Sequence, residues 1–239
     1  KIVQAKKSSN EGWEYLSENS PLKNPLVLVF GGRFELEKKE VIEDIRKEFP
    51  YENLVFGSTS GEIIGAHVFD TSIVVTAIGF EKSSFIVKTA NIFDFDKNAK
   101  LLGEKLIQEL PKAHLKHVFV LSEGSFVNGS ALIEGIETSF KDKISLTGGM
   151  CGDGSRFEKT VASYKENPKE GEVIIIGFYG DSLEISFASF GGWSPFGPER
   201  IITKSEGNVL YEIDNLPALD LYSKYLGDKA SELPQASLL

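Results

Sequence analysis

The chain has 239 residues, 41% apolar and 26% charged, with 23 glycines, nine prolines, one cysteine and one methionine; this composition fits a folded globular protein and excludes disorder, collagen and coiled coil. Lys and Arg number 26 against 35 Asp and Glu, a net charge of −9, so neither a nucleic-acid groove nor an anionic membrane surface is expected. A lone Cys151 excludes an internal disulfide framework and a multi-cysteine zinc site, and no apolar run approaches the ~20 residues that span a bilayer.

The opening residues, Lys1 to Lys7, lack a signal-peptide core, which predicts a cytoplasmic setting. A first strand is expected at Leu26–Phe30, then a helix with Val41, Ile42, Ile45 and Phe49 on one face. A short strand leads into the turn Gly57-Ser58-Thr59-Ser60-Gly61-Glu62. Val74–Phe80 and Phe85–Ile92, joined by the short Glu81–Ser84, predict an antiparallel hairpin. Asp96 is expected to cap a helix carrying Ala99, Leu102, Leu106, Ile107 and Leu110, with Pro111 after its end.

The order then recurs. A strand at His117–Leu121 precedes a helical stripe of Leu132, Ile133, Ile136 and Phe140, and the turn Gly148-Gly149-Met150-Cys151-Gly152-Asp153 follows. His117 stands 91 residues after Leu26, as Gly148 does after Gly57, and self-similarity at a fixed period organises a fold. Ile174–Gly180 follows Val74–Phe80 at an offset of 100, with Leu183–Phe190 as its expected hairpin partner. A last helix carries Leu219, Tyr222, Tyr225 and Leu226 between Pro217 and Gly227. The prediction is one domain over residues 1–227, with internal repeats at about 24–93 and 115–192 and no boundary inside 20–227. Residues 228–239 read as a tail or linker. The fold class is α/β with α+β character: two pseudo-symmetric strand-helix-strand-hairpin halves forming two packed mixed sheets with outer helices. A βαβ Rossmann sheet is the alternative, weakened by the hairpins and by the missing helix after each glycine turn.

Small residues let a ligand approach the backbone, and exposed amides with hydroxyls suit a carboxylate or phosphate. Ser58, Thr59 and Ser60 in one turn and Gly149, Cys151, Gly152 and Asp153 in the other are therefore ligand candidates, with Glu62 beside them. The competing reading is a pair of tight turns whose hydroxyls bond their own backbone. Gly149 to Arg156 lacks the lysine of a P-loop, Gly152 to Phe157 lacks the third glycine of a dinucleotide fingerprint, and Asp94 to Lys105 lacks the glycine and glutamate of a calcium loop. Cys151 needs a base to act as a nucleophile, and only His67, His114 and His117 are available; a buried inert thiol is the simpler reading. The segment Gly191-Gly192-Trp193-Ser194-Pro195-Phe196 either lines a ligand mouth, with Trp193 as the contact, or plugs the end of a core.

The two glycine turns, with Phe157 after the second, resemble the small-residue signatures of the FIST domain's N-terminal portion. Gly191 to Gly197 with Thr203 and Gly207-Asn208 looks like the next block, and Asp214 to Gly227 resembles the segment leading into the family's C-terminal portion. The resemblance covers most of residues 24–227. It implies a non-enzymatic, cytoplasmic sensory module of signal transduction that binds a small ligand such as an amino acid. Its implied partners are the family's C-terminal portion, which would follow Leu239, and a downstream signalling output. Some bacterial relatives sense gases through haem, so haem is the alternative ligand, and a protein-interaction adaptor without a small ligand is the other. Nothing reads as an F-box, which points to a bacterial source. In the leading reading Ser58, Thr59, Ser60 and the amides of Gly149, Cys151 and Gly152 hold a carboxylate, while Glu62 and Asp153 pair with an amine.

Overall fold

The protein is described from a computed structural model that covers residues 1–8, 11–139, 144–188, 191–192, 194–195 and 197–233. Its contacts separate into two compact units, Lys1–Ile185 and Ser186–Leu239, where the sequence showed no boundary within residues 20–227. The first unit runs β1 (Ile2–Ser8), β2 (Glu14–Tyr15), β3 (Leu26–Gly32), α1 (Arg33–Leu36), α2 (Lys39–Glu48), β4 (Asn53–Thr59), β5 (Glu62–Ile64), β6 (His67–Phe69), β7 (Ser72–Ile78) and β8 (Ser84–Asn91). It continues through α3 (Ala99–Gln108), β9 (Leu115–Ser122), α4 (Gly129–Glu137), β10 (Ser145–Met150), β11 (Ala162–Tyr164) and β12 (Glu172–Tyr179).

Two mixed sheets form, one ordered β11-β4-β3-β7-β1-β2 and the other β10-β9-β12-β8. In each, one helix-linked pair is parallel, β3 with β4 and β9 with β10, and the flanking strands are antiparallel. Alternation along each strand sorts side chains into layers, because successive residues point to opposite faces. Val27 and Val29 of β3, Leu54 and Phe56 of β4, and Ile73 and Val75 of β7 pack with Ile42, Ile45 and Phe49 of the α2 layer. Val118, Val120, Val173 and Ile175 pack with Leu102 and Leu106 of α3 and Leu132 and Ile136 of α4. The intervening residues Leu26, Val55, Leu121, Ile174 and Ile176 meet in a third cluster between the sheets. The result is four layers: α2, sheet, sheet, α3 with α4. Strands buried on both faces explain the near-continuous apolar runs at Leu26–Phe30 and Val173–Ile176. Each fully buried Ile, Leu or Phe contributes about 1.5–3 kcal/mol relative to exposure.

The predicted hairpins do not form among the described residues, and this corrects that part of the strand-helix-strand-hairpin reading. β7 and β8 lie in different sheets: β7 pairs with β1 and β3, and β8 pairs with β12. The N-terminal strand already occupies the edge beside β7, with Ile2 opposite Ile78 and the Gly79 amide donating to the Lys1 carbonyl. β8 therefore crosses to the open edge of β12. Residues 183–188 form no strand; the rest of the expected strand, like Phe140 on α4's stripe, lies outside the described residues. The α3 cap is likewise shifted: Asn98, not Asp96, accepts the Leu101 amide at 3.0 Å, and Asp96 takes a left-handed conformation ending the preceding 3-10 turn (Ile92–Phe95).

Register carries the spacing seen in the sequence. Val29 faces Val75, and Val120 faces Ile175, reproducing the offsets of 91 and 100. One slip intervenes: Gly57 pairs with Phe30, but it is Gly149 that pairs with Leu121. Gly148 absorbs that extra residue at φ 150, where a Cβ would stand 1.9 Å from the Val120 carbonyl oxygen. The α3–α4 crossing is nearly as close, since a Cβ on Gly135 would stand 2.1 Å from the Lys100 carbonyl oxygen.

The second unit contains β13 (Ile202–Glu206), β14 (Val209–Ile213) and β15 (Leu216–Pro217) in one antiparallel sheet, α5 (Ala218–Leu226) and a 3-10 helix (Gly227–Glu232). Arg200 bonds Asp214 at 2.8 Å and Tyr225 at 3.1 Å. The last helix lies where Pro217 and Gly227 predicted it.

Candidate functional site

In sheets with parallel strands, ligands are commonly received beyond the carboxyl ends of those strands. Here the ends of β3, β4, β9 and β10 supply Gly31 to Arg33, Thr59-Ser60, Ser122-Glu123 and Met150 to Asp153. The two expected glycine turns begin as strand, Gly57–Thr59 ending β4 and Gly148–Met150 ending β10. The turns that follow are bonded to these ends: the Gly152 amide donates to the Ser58 carbonyl at 2.9 Å, and the Gly154 amide donates to the Ser60 hydroxyl at 3.1 Å. Their approach depends on Gly152, where a Cβ would fall 2.3 Å from Ser60 Oγ.

Ser58 is buried, and its hydroxyl accepts the Val161 amide at 3.0 Å. Glu62 is buried as well, accepting from the Thr59 hydroxyl at 2.6 Å and from the Ser72 hydroxyl at 2.7 Å. Asp153 is held by Arg33 Nε at 2.8 Å and by the amides of Glu158 and Lys159. The amine partners expected from sequence are thus engaged internally, and Ser60 and Gly149 are the exposed members of the set. Trp193 lies outside the described residues.

Cys151 sits under the turn, its amide bonded to the Ser122 carbonyl at 2.7 Å. Burial pushes its thiol up to about 12, so it is protonated at neutral pH and lacks the thiolate that nucleophilic chemistry requires. Among the histidines, His117 has both ring nitrogens engaged and does not fit an axial haem ligand. His117 is buried with Nδ1 bonded to Ser145 at 2.6 Å and Nε2 to Thr147 at 2.7 Å, and burial lowers its pKa. His114 is surface-exposed beside Asp181 at 2.9 Å, and His67 is exposed on β6. Among the described residues, no group of three or more His, Cys, Asp or Glu is placed to hold a metal ion.

Several charged groups of the site were not anticipated. Arg33, 8% exposed, also reaches Glu158 at 3.0 Å, and its hydrogen bond to Asp153 raises its already high pKa. The guanidinium groups of Arg33 and Arg156 both lie over the Phe34 ring, at 4.2 and 4.7 Å from its centroid. Glu123 is fully buried; its carboxylate accepts the amides of Ser125 and Phe126 and the hydroxyl of Thr160, whose oxygen accepts the Gly124 amide in turn. The available signal was position: Arg33 and Glu123 each follow directly on an apolar strand.

A mixed-sheet domain of four layers, closed by paired glycine turns at the ends of its parallel strands, is the class this geometry defines. A profile of the FIST N domain matches residues 25–216, and the chain belongs to that family, which is associated with signal-transduction sensing. An uncharacterized protein of Methanocaldococcus jannaschii is 23% identical over 221 residues, covering 85% of this chain and 41% of that protein. The chain spans less than half the length of that relative. No helix among the described residues is long and apolar enough to cross a membrane.

Proposed function

We propose that this FIST N domain is the non-enzymatic, ligand-sensing module of a cytoplasmic signalling protein. Its ligand is a small carboxylate metabolite of the amino-acid class, held where β3, β4, β9 and β10 end. The observation that carries the reading is the direct bonding of the two glycine turns, Gly152 to Ser58 and Gly154 to Ser60. A ligand touching either turn is thereby felt by both sheets. Because Ser58, Glu62 and Asp153 are buried and internally committed, the carboxylate falls to the exposed Ser60 hydroxyl and to Arg156, whose side chain is 42% exposed although its Nη1 donates to the Asp153 carbonyl at 2.9 Å. The carboxylate of Glu158, 64% exposed although Arg33 Nη2 reaches it at 3.0 Å, takes the amine instead of the buried Asp153. The matching strand orders of the sheets support descent from a duplicated unit.

Differential scanning fluorimetry of the chain with free amino acids and dicarboxylates tests this. At a ligand concentration ~100 times Kd, stabilisation is about 2.7 kcal/mol, enough to raise Tm by about 5 °C or more. The shift should vanish in Arg156→Ala and shrink in Ser60→Ala. A flat response across the panel in the unmodified protein overturns the proposal.

A further inference from the structure

The two sheets differ at one edge. The outer edge of β4 is covered by β11, antiparallel, with Ala162 opposite Gly57 and Tyr164 opposite Val55. The outer edge of its counterpart β10 carries no strand among the described residues. Between β10 and α4 runs a groove of about 430 Å³, lined by Val120, Leu132, Ile133, Leu146 and Met150, with Glu137 as its charged member. Gly129 and Met150 mark one end and Glu137 and Leu146 the other, so the groove follows the whole six-residue strand. At ~3.3 Å per residue that length is about 20 Å, which suits an extended peptide of about six residues. An open strand edge beside an amphipathic helix is the arrangement that receives peptides by β-addition.

We propose that this groove binds an extended protein segment, added antiparallel to β10, with apolar side chains toward α4 and a basic residue at its carboxyl-terminal end. The orientation and the charge both follow from β11 on β4. There Lys165, just past the strand, lies 3.8 Å from Glu52 at the start of β4. At the corresponding end of the groove the acid is Glu137, the last residue of α4, which has no ion-pair partner among the described residues. The net charge of −9 further favours a basic segment. The groove reaches the second glycine segment at Gly148, Gly149 and Met150 but does not include Ser60, Arg156 or Glu158, so a peptide there does not require the ligand proposed above.

The probe is a fluorescein-labelled, C-amidated hexapeptide with the sequence of residues 160–165, Thr-Val-Ala-Ser-Tyr-Lys, titrated with the chain while anisotropy is recorded. Saturable binding is expected, weakened about threefold to tenfold by Glu137→Lys. That exposed substitution at the carboxyl end of α4 suits the helix dipole, and circular dichroism checks that the fold is kept. A peptide ending in Glu instead of Lys should bind Glu137→Lys better than it binds the unmodified chain. Absence of saturation, or an affinity indifferent to Glu137→Lys, overturns the proposal. So does sedimentation showing a dimer that the peptide dissociates, since a second copy would then be the natural occupant.

Discussion

Arg33 and Asp153 lie 120 residues apart in sequence, yet Arg33 Nε donates to Asp153 Oδ1 at 2.8 Å and both side chains are almost fully buried. The bond ties the end of β3 in one sheet to the turn that follows β10 in the other. Removing Arg33 leaves the buried Asp153 carboxylate with the more distant Arg156 at 3.5 Å and two backbone amides, and breaking a buried pair costs more than the pair itself contributes.

Arg33→Ala is accordingly expected to lower unfolding free energy by about 3 kcal/mol. Arg33→Met with Asp153→Leu should recover part of that loss. Urea denaturation of the three proteins checks this, and equal stability of Arg33→Ala and the parent would refute it.

Gly135→Ala places a methyl 2.1 Å from the Lys100 carbonyl, and the backbone on the far side cannot rotate away. The expected cost is about 1–3 kcal/mol, the usual range for overpacking. Gly149→Ala is the control, since its Cβ would meet nothing within 4 Å. Thermal melts should separate the two clearly.

The thiol of Cys151 has its folded pKa raised by burial to about 12, above the ~8.5 of an exposed cysteine. The folded state therefore prefers the protonated form. Its contribution is complete below about pH 8.5 and is lost as pH rises toward 12, by up to ~1.4 kcal/mol per pH unit. Cys151→Ala should flatten this alkaline limb of the stability profile relative to the parent. Native Cys151 should also resist iodoacetamide at pH 8 and react once urea is added.

His117 behaves in the opposite direction. Burial lowers its pKa, so its neutral form contributes stability above the ordinary histidine value of ~6.5, and that contribution is lost as pH falls below it. An NMR titration should show the His117 ring titrating below the ordinary histidine value, and His117→Gln should lessen the acid sensitivity of unfolding.

Much of the architecture was legible because alternation and helical periodicity report burial directly. Leu26–Phe30 and His117–Leu121 became β3 and β9, and the stripes Ile42–Ile45 and Leu132–Ile136 became the inner faces of α2 and α4. The partner of β8 was not legible. Glu81–Ser84 is short enough for a hairpin, and the competing claim of Ile2–Ser8 on the edge of β7 comes from more than 60 residues away. The site followed the same division. Glycine turns declare themselves locally, so Gly57–Glu62 and Gly148–Asp153 were found, but the buried charges Arg33 and Glu123 owe their positions to partners 120 and 37 residues distant. Ser58 and Glu62 illustrate the converse: a hydroxyl or carboxylate beside a glycine can serve the backbone as readily as a ligand.

The crossing of β8 and β11 has a consequence for the newly made chain. As the protein leaves the ribosome, β1 through β7 emerge first, yet their sheet lacks its last edge until Ala162–Tyr164 arrives. β8, synthesised early, must wait for Glu172–Tyr179 before it has a neighbour to bond. Neither sheet can close during translation of its own half. Folding is therefore a late, joint event of the first ~180 residues, and a nascent chain stalled before β12 would carry unpaired strands available to chaperones.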